Sequence, residues 1–436
     1  MSVPLFARAA ALAGTMLFLA ALPAFSQAPA PAPATDTASI PAPTAAPNVT
    51  TSLKNVQWIW TGYLQGRFTA TDARPRDLGL IDPTKPALGP ISTEYPIAPS
   101  TFSIERAYLY LDAKVNKHID GVANIELAPN PLTSNAYLLE GYGQYTFLKQ
   151  VTTTDADGKV NEEEVPIVKT RLGFSRLPYG YEATLTSANL ITLERSEAQF
   201  SLLYGDYSFD RGLFAYYLPT KGYGFNLGAA IANGTTMFPE SQLPIPNFTP
   251  SPTYYADPDG NKNIVARAGY SFKMDNAPGS HANSCDLGAS VYSGTSPLEG
   301  VTTNGQFSGN TMNREGYDLE CHKNGFTLLS EGIWAKDDNI DSTGFYATLA
   351  YQRPGTKTQP YLRVDTYDSN QSVNNNLYSR ATLGCNYYLT PTTKLTLEVQ
   401  GIDNNIKSFT QGANPLLDPA PTGESSKVLV QYQVIF

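Results

Sequence analysis

From residue 56 onward the chain falls into sixteen segments of strand length in which apolar and polar residues alternate, and the connections between them alternate in length as well. The last segment shows the pattern plainly. It reads "KVLVQYQVIF", with Val428, Val430, Tyr432, Val434 and Phe436 on one set of positions and Gln431 and Gln433 on the other. Successive side chains of a strand point to opposite faces, so a period of two means one apolar face and one polar face. The segments run approximately 56–68, 101–115, 119–128, 135–149, 165–176, 207–218, 223–233, 262–273, 283–294, 312–323, 325–336, 342–353, 358–367, 377–390, 393–402 and 426–436. Connections after even-numbered segments are short, such as "NKH" at 116–118 and "TPTT" at 390–393, and those after odd-numbered segments are long, such as 69–100, 177–206 and 403–425. One connection breaks the rule: 150–164 is long where a short turn is expected.

Two architectures satisfy such a pattern, a soluble stack of sheets or a closed barrel in a membrane, and the N-terminus weighs between them. "MSVPLFARAAALAGTMLFLAALPAFSQA" has one early positive charge at Arg8, an apolar run from Ala9 to Leu22 and small residues at Ala24 and Ser26. That is the layout of a secretory signal peptide over 1–26, and the run is too short for a membrane-spanning helix. The following Pro/Ala-rich stretch, 27–55, has too little apolar surface to pack and reads as an extended periplasmic linker.

An exported chain whose strands alternate and whose ring content is dominated by tyrosine and phenylalanine (27 and 19, against three tryptophans) suits a transmembrane barrel, since closure satisfies every strand's backbone in lipid. The expectation is an all-β fold, a 16-stranded antiparallel transmembrane β-barrel over 56–436 in the bacterial cell outer membrane. Taking the apolar set as lipid-facing puts Ala107, Leu109, Leu111 and Ala113 outside in the second strand, with Arg106, Tyr108, Tyr110, Asp112 and Lys114 inside. In the fifth, Val168, Leu172 and Phe174 face out, while Lys169 and Arg171 face in. A polar interior in a barrel of this size implies water rather than a packed core.

The segment "VKTRLGFSRLPYGYEATLTSANLITLERSEAQF", followed by "DRGLFAYY" and "FNLGAAIANGTT", resembles the central region of the phosphate-selective porin O and P family. "GFTLLSEGIWAKDD", "GFYATLAYQRPG" and "TLGCNYYLTPTTKLTLEVQG" resemble that family's later strands in the same order, so the resemblance covers roughly 100–436. It implies a sixteen-stranded, usually trimeric outer-membrane porin whose loop after the fifth strand folds inward as a constriction. Here that loop is 177–206. The resemblance and the face assignments together nominate Lys169, Arg171, Arg176, Tyr179, Glu182, Glu194, Arg195, Asp210, Arg211 and Arg267 as lining the pore or its constriction. Tyr432, Val434 and Phe436 resemble the terminal-aromatic signal presented to the barrel-insertion machinery. The implied surroundings are outer-membrane lipid and lipopolysaccharide, a homotrimer, small hydrophilic solutes and no nucleic acid.

Charge argues against strong phosphate selection, which needs a cationic path. Without Arg8 the mature chain has 29 basic and 39 acidic residues, a net charge of −10. Between Leu177 and Arg211 stand two bases, Arg195 and Arg211, and five acids, Glu182, Glu194, Glu197, Asp206 and Asp210. The expectation is an acidic loop facing Lys169 and Arg171 across a narrow gap, giving a weakly selective pore for passive diffusion. An anion- or phosphate-selective porin, and a structural protein tethering the envelope through 27–55, are the alternatives. No enzyme is expected, since the three histidines, His118, His281 and His322, offer no nucleophile and base that can be placed together, His322 beside Cys321 being the nearest approach. No cofactor or metal is expected either: "DADG" at 155–158 and "DPDGNKN" at 257–263 lack the final acid of a calcium loop. Cys285 and Cys321 share the outward parity near adjacent strand ends, so a disulfide is conceivable, though two buried inert thiols are the favoured reading; Cys385 stands alone.

Overall fold

The computed structural model describes residues 56–71, 100–127, 137–154, 160–203, 208–219, 223–234, 260–274, 283–296, 310–405 and 423–436. The signal-peptide and linker segments, the two calcium-like stretches and His281 lie outside them, apart from the last four residues of "DPDGNKN".

Sixteen strands form: β1 (Gln57–Thr71), β2 (Ser100–Lys114), β3 (Ile119–Glu126), β4 (Tyr137–Thr154), β5 (Val160–Arg176), β6 (Phe209–Tyr217), β7 (Gly224–Ala232), β8 (Asn263–Lys273), β9 (Ser284–Ser296), β10 (Asn310–Lys323), β11 (Phe326–Asp337), β12 (Ile340–Tyr351), β13 (Thr358–Asp368), β14 (Leu377–Thr390), β15 (Thr393–Asn404) and β16 (Gly423–Ile435). Each pairs antiparallel with its neighbours in sequence, and β1 pairs with β16, closing the barrel. The misfit at 150–164 disappears. Both flanking strands are longer than the alternation suggested, because "VTTT" and "VNEEEV" continue the ladder, which leaves 155–159 between them.

Period-two burial confirms the face assignment. Along β15, Leu395, Leu397 and Val399 are exposed while Lys394, Thr396, Glu398 and Gln400 are buried. In the terminal strand Val428 and Tyr432 are exposed, while Gln431 and Gln433 are buried inside. The outer surface is therefore the apolar one. Such a surface is stable only against hydrocarbon, where the closed ladder leaves no unpaired strand edge.

Closure is made at the extreme C-terminus. Phe436 N–H donates to the Gly62 carbonyl at 2.9 Å, and Gly62 N–H donates to the Phe436 carbonyl at 2.8 Å. The phenyl ring lies over Gly62, so close that a Cβ there would sit 2.8 Å from Phe436 Cζ. Only glycine leaves that space.

The interior is not simply water-filled. Leu177, Tyr179, Ala183, Ala198, Leu202 and Leu203 leave the wall after β5 and pack with inward-facing Phe214, Val265, Tyr292 and Ile333 into one apolar cluster. Burying a leucine-sized side chain contributes roughly 1.5–3 kcal/mol, so this seam holds the segment inside. The expectation of a wholly polar lumen is corrected on that point.

Candidate functional site

Between β5 and β6 the described part of the loop, 177–203, runs through two 3-10 turns (Glu182–Thr184 and Ser187–Asn189) into a short helix, α1 (Glu197–Leu203). Gly180 opens this path with φ +58, and a Cβ there would collide with the Glu331 carboxylate. The loop's backbone is then hydrogen-bonded around the inner wall. Gly180 N–H donates to Ser290 Oγ on β9 at 2.9 Å, and Glu182 N–H to Glu331 Oε2 on β11 at 3.2 Å. Leu193 N–H donates to Glu398 Oε1 on β15 at 2.6 Å, Lys394 Nζ to the Leu190 carbonyl at 2.8 Å, and Gln433 Nε2 on β16 to the Ala188 carbonyl at 3.1 Å. A loop that leaves the wall at β5 and is bonded to β9, β11, β15 and β16 crosses the lumen.

The loop acids are met by arginines that sequence reasoning did not nominate. Glu182 is bound by Arg363 of β13 at 2.8 Å, with both side chains buried, and also accepts from Ser196 N–H and Oγ at 2.8 and 2.9 Å. Glu194 lies 2.9 Å from Arg380 of β14, 3.6 Å from Arg67 of β1 and 4.0 Å from Lys427 of β16. Arg380 also holds Asp365 at 2.6 Å. Burial alone would raise the Glu182 carboxyl, but Arg363, then Arg195 and the Ser196 amide, outweigh it and hold the group below the ordinary carboxylate range. Glu194 is held low in the same way: burial opposes ionisation, and Lys427, Arg380 and Arg67 overcome it. Burial raises Glu197, where neighbouring Asp365 adds to the effect against Arg380.

Lys169 and Arg171 are on the inner face of β5, as expected, but they do not meet these acids. Arg171 is held between the Tyr142 and Tyr216 rings, 4.4 and 4.9 Å from their centroids, and donates to Gln144 Oε1 at 2.9 Å and Ser175 Oγ at 3.1 Å. Neither residue has a carboxylate ion pair among the described residues. The loop passes over to the β13–β16 side, where arginines on the inward parity compete better for its carboxylates. Arg267 is inward too, yet its partners are wall acids, Asp318 at 2.5 Å and Asp286 at 2.7 Å.

The other nominated residues divide. Tyr179 is buried in the apolar cluster, Arg195 binds the Glu182 and Leu185 carbonyls, and Arg176 donates to the Ala183 carbonyl at 3.1 Å over the Phe209 ring; all three hold the loop's own shape. Asp210 does not face the gap: it is buried and accepts from Gly234 N–H and Arg211 N–H, both at 2.7 Å. Arg211 is also not in the lumen. The β5–β6 register sets it opposite Phe174, on the face that carries exposed Leu172 and Leu213, with its guanidinium over the Phe174 ring at 5.2 Å. His322 is bonded to Glu320 Oε1 and Thr327 Oγ1, and its neighbour Cys321 is in a disulfide with Cys285, which corrects the reading of two free thiols.

No family model and no curated protein matches the chain, so the resemblance to the phosphate-selective family rests on the quoted segments. Solved structures do match. The chain is similar to the in-vitro folded, trimer form of OmpT, an outer membrane protein of Vibrio cholerae (11% identity, 87% of this chain and 99% of that one, TM-score 0.52). It is also similar to the anion-selective porin from Comamonas acidovorans (13% identity, 87% and 100%, TM-score 0.52) and to Pseudomonas putida OprB (11% identity, 89% and 96%, TM-score 0.50). At these identities the likeness shows the fold. The chain is a bacterial outer-membrane β-barrel with the sixteen-stranded porin architecture.

Proposed function

We propose that the barrel is a passive diffusion channel for small hydrophilic solutes and ions, weakly selective, with no chemical step and no cofactor. The observation that carries this reading is the inward course of 177–203, which leaves the wall at β5 and is hydrogen-bonded to β9, β11, β15 and β16. A loop pinned across a sixteen-stranded barrel narrows the water path without filling it, and its neutralised acids leave a small net field on a passing ion. Lys169, Arg171 and Arg267 line the wall; Glu182 and Glu194 set the position of the loop rather than the sign of its field. The working unit is a homotrimer in lipid and lipopolysaccharide, and Phe436 with Tyr432 and Val434 is the signal read by the insertion machinery.

A second reading, preference for anions, is favoured by one specific observation: Lys169 and Arg171 carry charge that no described carboxylate cancels by an ion pair. Single-channel recording in a planar bilayer separates the readings. Replacing both by Gln shifts selectivity away from anions in either case, but only an anion-selective pore loses most of its conductance. A barrel that inserts and passes no current sinks the channel proposal and leaves the tethering role of 27–55.

A further inference from the structure

Inside the barrel Arg67, Arg267, Arg314, Arg363 and Arg380 each meet a carboxylate. Arg171 is held instead by groups that carry no charge: the rings of Tyr142 on β4 and Tyr216 on β6, with Gln144 at Nε and Ser175 at Nη1. Its side chain runs along its own strand to reach Ser175, four residues on, and passes Gly173 on the same face. Gly173 has φ +133, and a Cβ there would press on the Gly141 carbonyl and lie 3.2 Å from Tyr142 Cβ. Glycine at this position lets the ring and the guanidinium come together.

The strands flanking β5 each bring an inward acid near this guanidinium. Asp210 of β6 is opposite Ser175, but the amides of Gly234 and Arg211 occupy it. Glu140 of β4 is different. Gly141 pairs with Phe174, which sets Glu140 level with Ser175, and the side chain is buried with no cation paired to it among the described residues. One strand further, Asp120 of β3 accepts from Gln144 Nε2 at 3.0 Å, so the same amide that receives Arg171 Nε also engages this acid. Arg171 therefore reaches the level of Glu140 and stops at Ser175, without an ion pair.

A guanidinium is planar and weakly hydrated, so it stacks on aromatic faces, and a ring attracts it through a quadrupole that brings no net charge. A carboxylate partner would cancel the positive charge, whereas two rings fix it and leave it whole. We propose that Tyr142 and Tyr216 are positioning residues for ion selectivity: they clamp Arg171 as an uncancelled cation on the wall of the water path and keep it from Glu140. The inference rests on the channel reading and adds to it the groups that set the residual preference. Loss of the rings frees the guanidinium to turn onto Glu140, and the wall then loses a positive charge although Arg171 is still present.

Reversal potentials in a planar bilayer under a potassium chloride gradient test the clamp. Arg171→Gln should lower the chloride-to-potassium permeability ratio about two-fold, since a wall charge in a narrow pore weighs on every passing ion. Replacing Tyr142 and Tyr216 together by Leu should lower it as far, and replacing them by Phe should leave it unchanged. Adding Glu140→Gln to the leucine pair should restore it. A leucine pair or an Arg171→Gln channel with the wild-type ratio, a phenylalanine pair that behaves like the leucine pair, or no recovery on Glu140→Gln would overturn the proposal. A second arm needs no current and no change to the rings. The Arg171 Nε–H resonance of the wild-type barrel in detergent micelles, assigned with Arg171→Lys, should lie upfield of ordinary arginine resonances, because both ring faces shield it. A resonance at the ordinary position overturns the clamp whether or not the barrel conducts; a shielded resonance in a barrel that passes no current supports the clamp and sinks the channel reading instead.

Discussion

Glu182 shows what one residue contributes to the loop and how little of it is visible locally. It is an acid in a polar loop by sequence, and a buried ion pair with Arg363, 181 positions away, by structure. Removing one partner of a buried pair leaves an unpaired charge in a dry site and costs about 3–5 kcal/mol. Arg363→Met should therefore release the loop, giving higher and noisier single-channel conductance, and the double change with Glu182→Gln should restore much of the wild-type trace. A single variant that conducts like wild type would show that the pair does not hold the loop. The pH dependence has a definite sign. Because the folded carboxyls of Glu182 and Glu194 are depressed below 4.5, the stabilisation they bring is fully present above that value and is lost as pH falls through the lower one. Hydrogen-exchange protection of 182–196 should stay flat from about pH 8 to about pH 5 and fall only below roughly pH 4. Loss of protection near neutrality would contradict these pairings.

At the scale of elements, β16 is the best-read part of the chain, since a period of two needs nothing but neighbours in sequence. Its closing contact with Gly62 was not legible, because register between the first and last strands is set by the whole ring of pairs. Deleting Phe436 removes two backbone hydrogen bonds and the ring over Gly62, so folded, heat-modifiable barrel in the outer membrane should fall several-fold. Normal levels of folded barrel would show that the terminal aromatic is dispensable. Gly62→Leu should disturb the same contact from the other side, with a comparable loss, because its Cβ would sit 2.5 Å from the Tyr108 carbonyl oxygen as well as against the phenyl ring. The inward parity of Arg363 and Arg380 could have been read from "PYLRVDTYD" and "LYSRATLG", where each alternates with apolar residues. Their choice of loop acids could not, since it depends on the direction in which 177–203 crosses the lumen. For the same reason Lys169 and Arg171 were placed correctly on the inner wall and given the wrong partners.

For the whole molecule, composition misleads if it is applied to the pore directly. The chain carries nine more acids than bases, yet the loop acids that would make a cation filter are matched by Arg67, Arg363, Arg380 and Lys427. Net charge describes solubility and long-range steering, whereas selectivity depends on the few groups left uncompensated at the narrowest water path. The linker reading makes a further prediction: a chain beginning near Thr51 should refold and conduct like the full mature form, and a large loss of conductance would mean that 27–50 takes part in the channel. The central claim, a weakly selective aqueous channel, is tested most directly by the reversal potential of the purified wild-type protein in a planar bilayer under a potassium chloride gradient. The account predicts clear single-channel steps with a reversal potential close to zero. A reversal potential near the chloride equilibrium value, with current blocked by low phosphate, would contradict it.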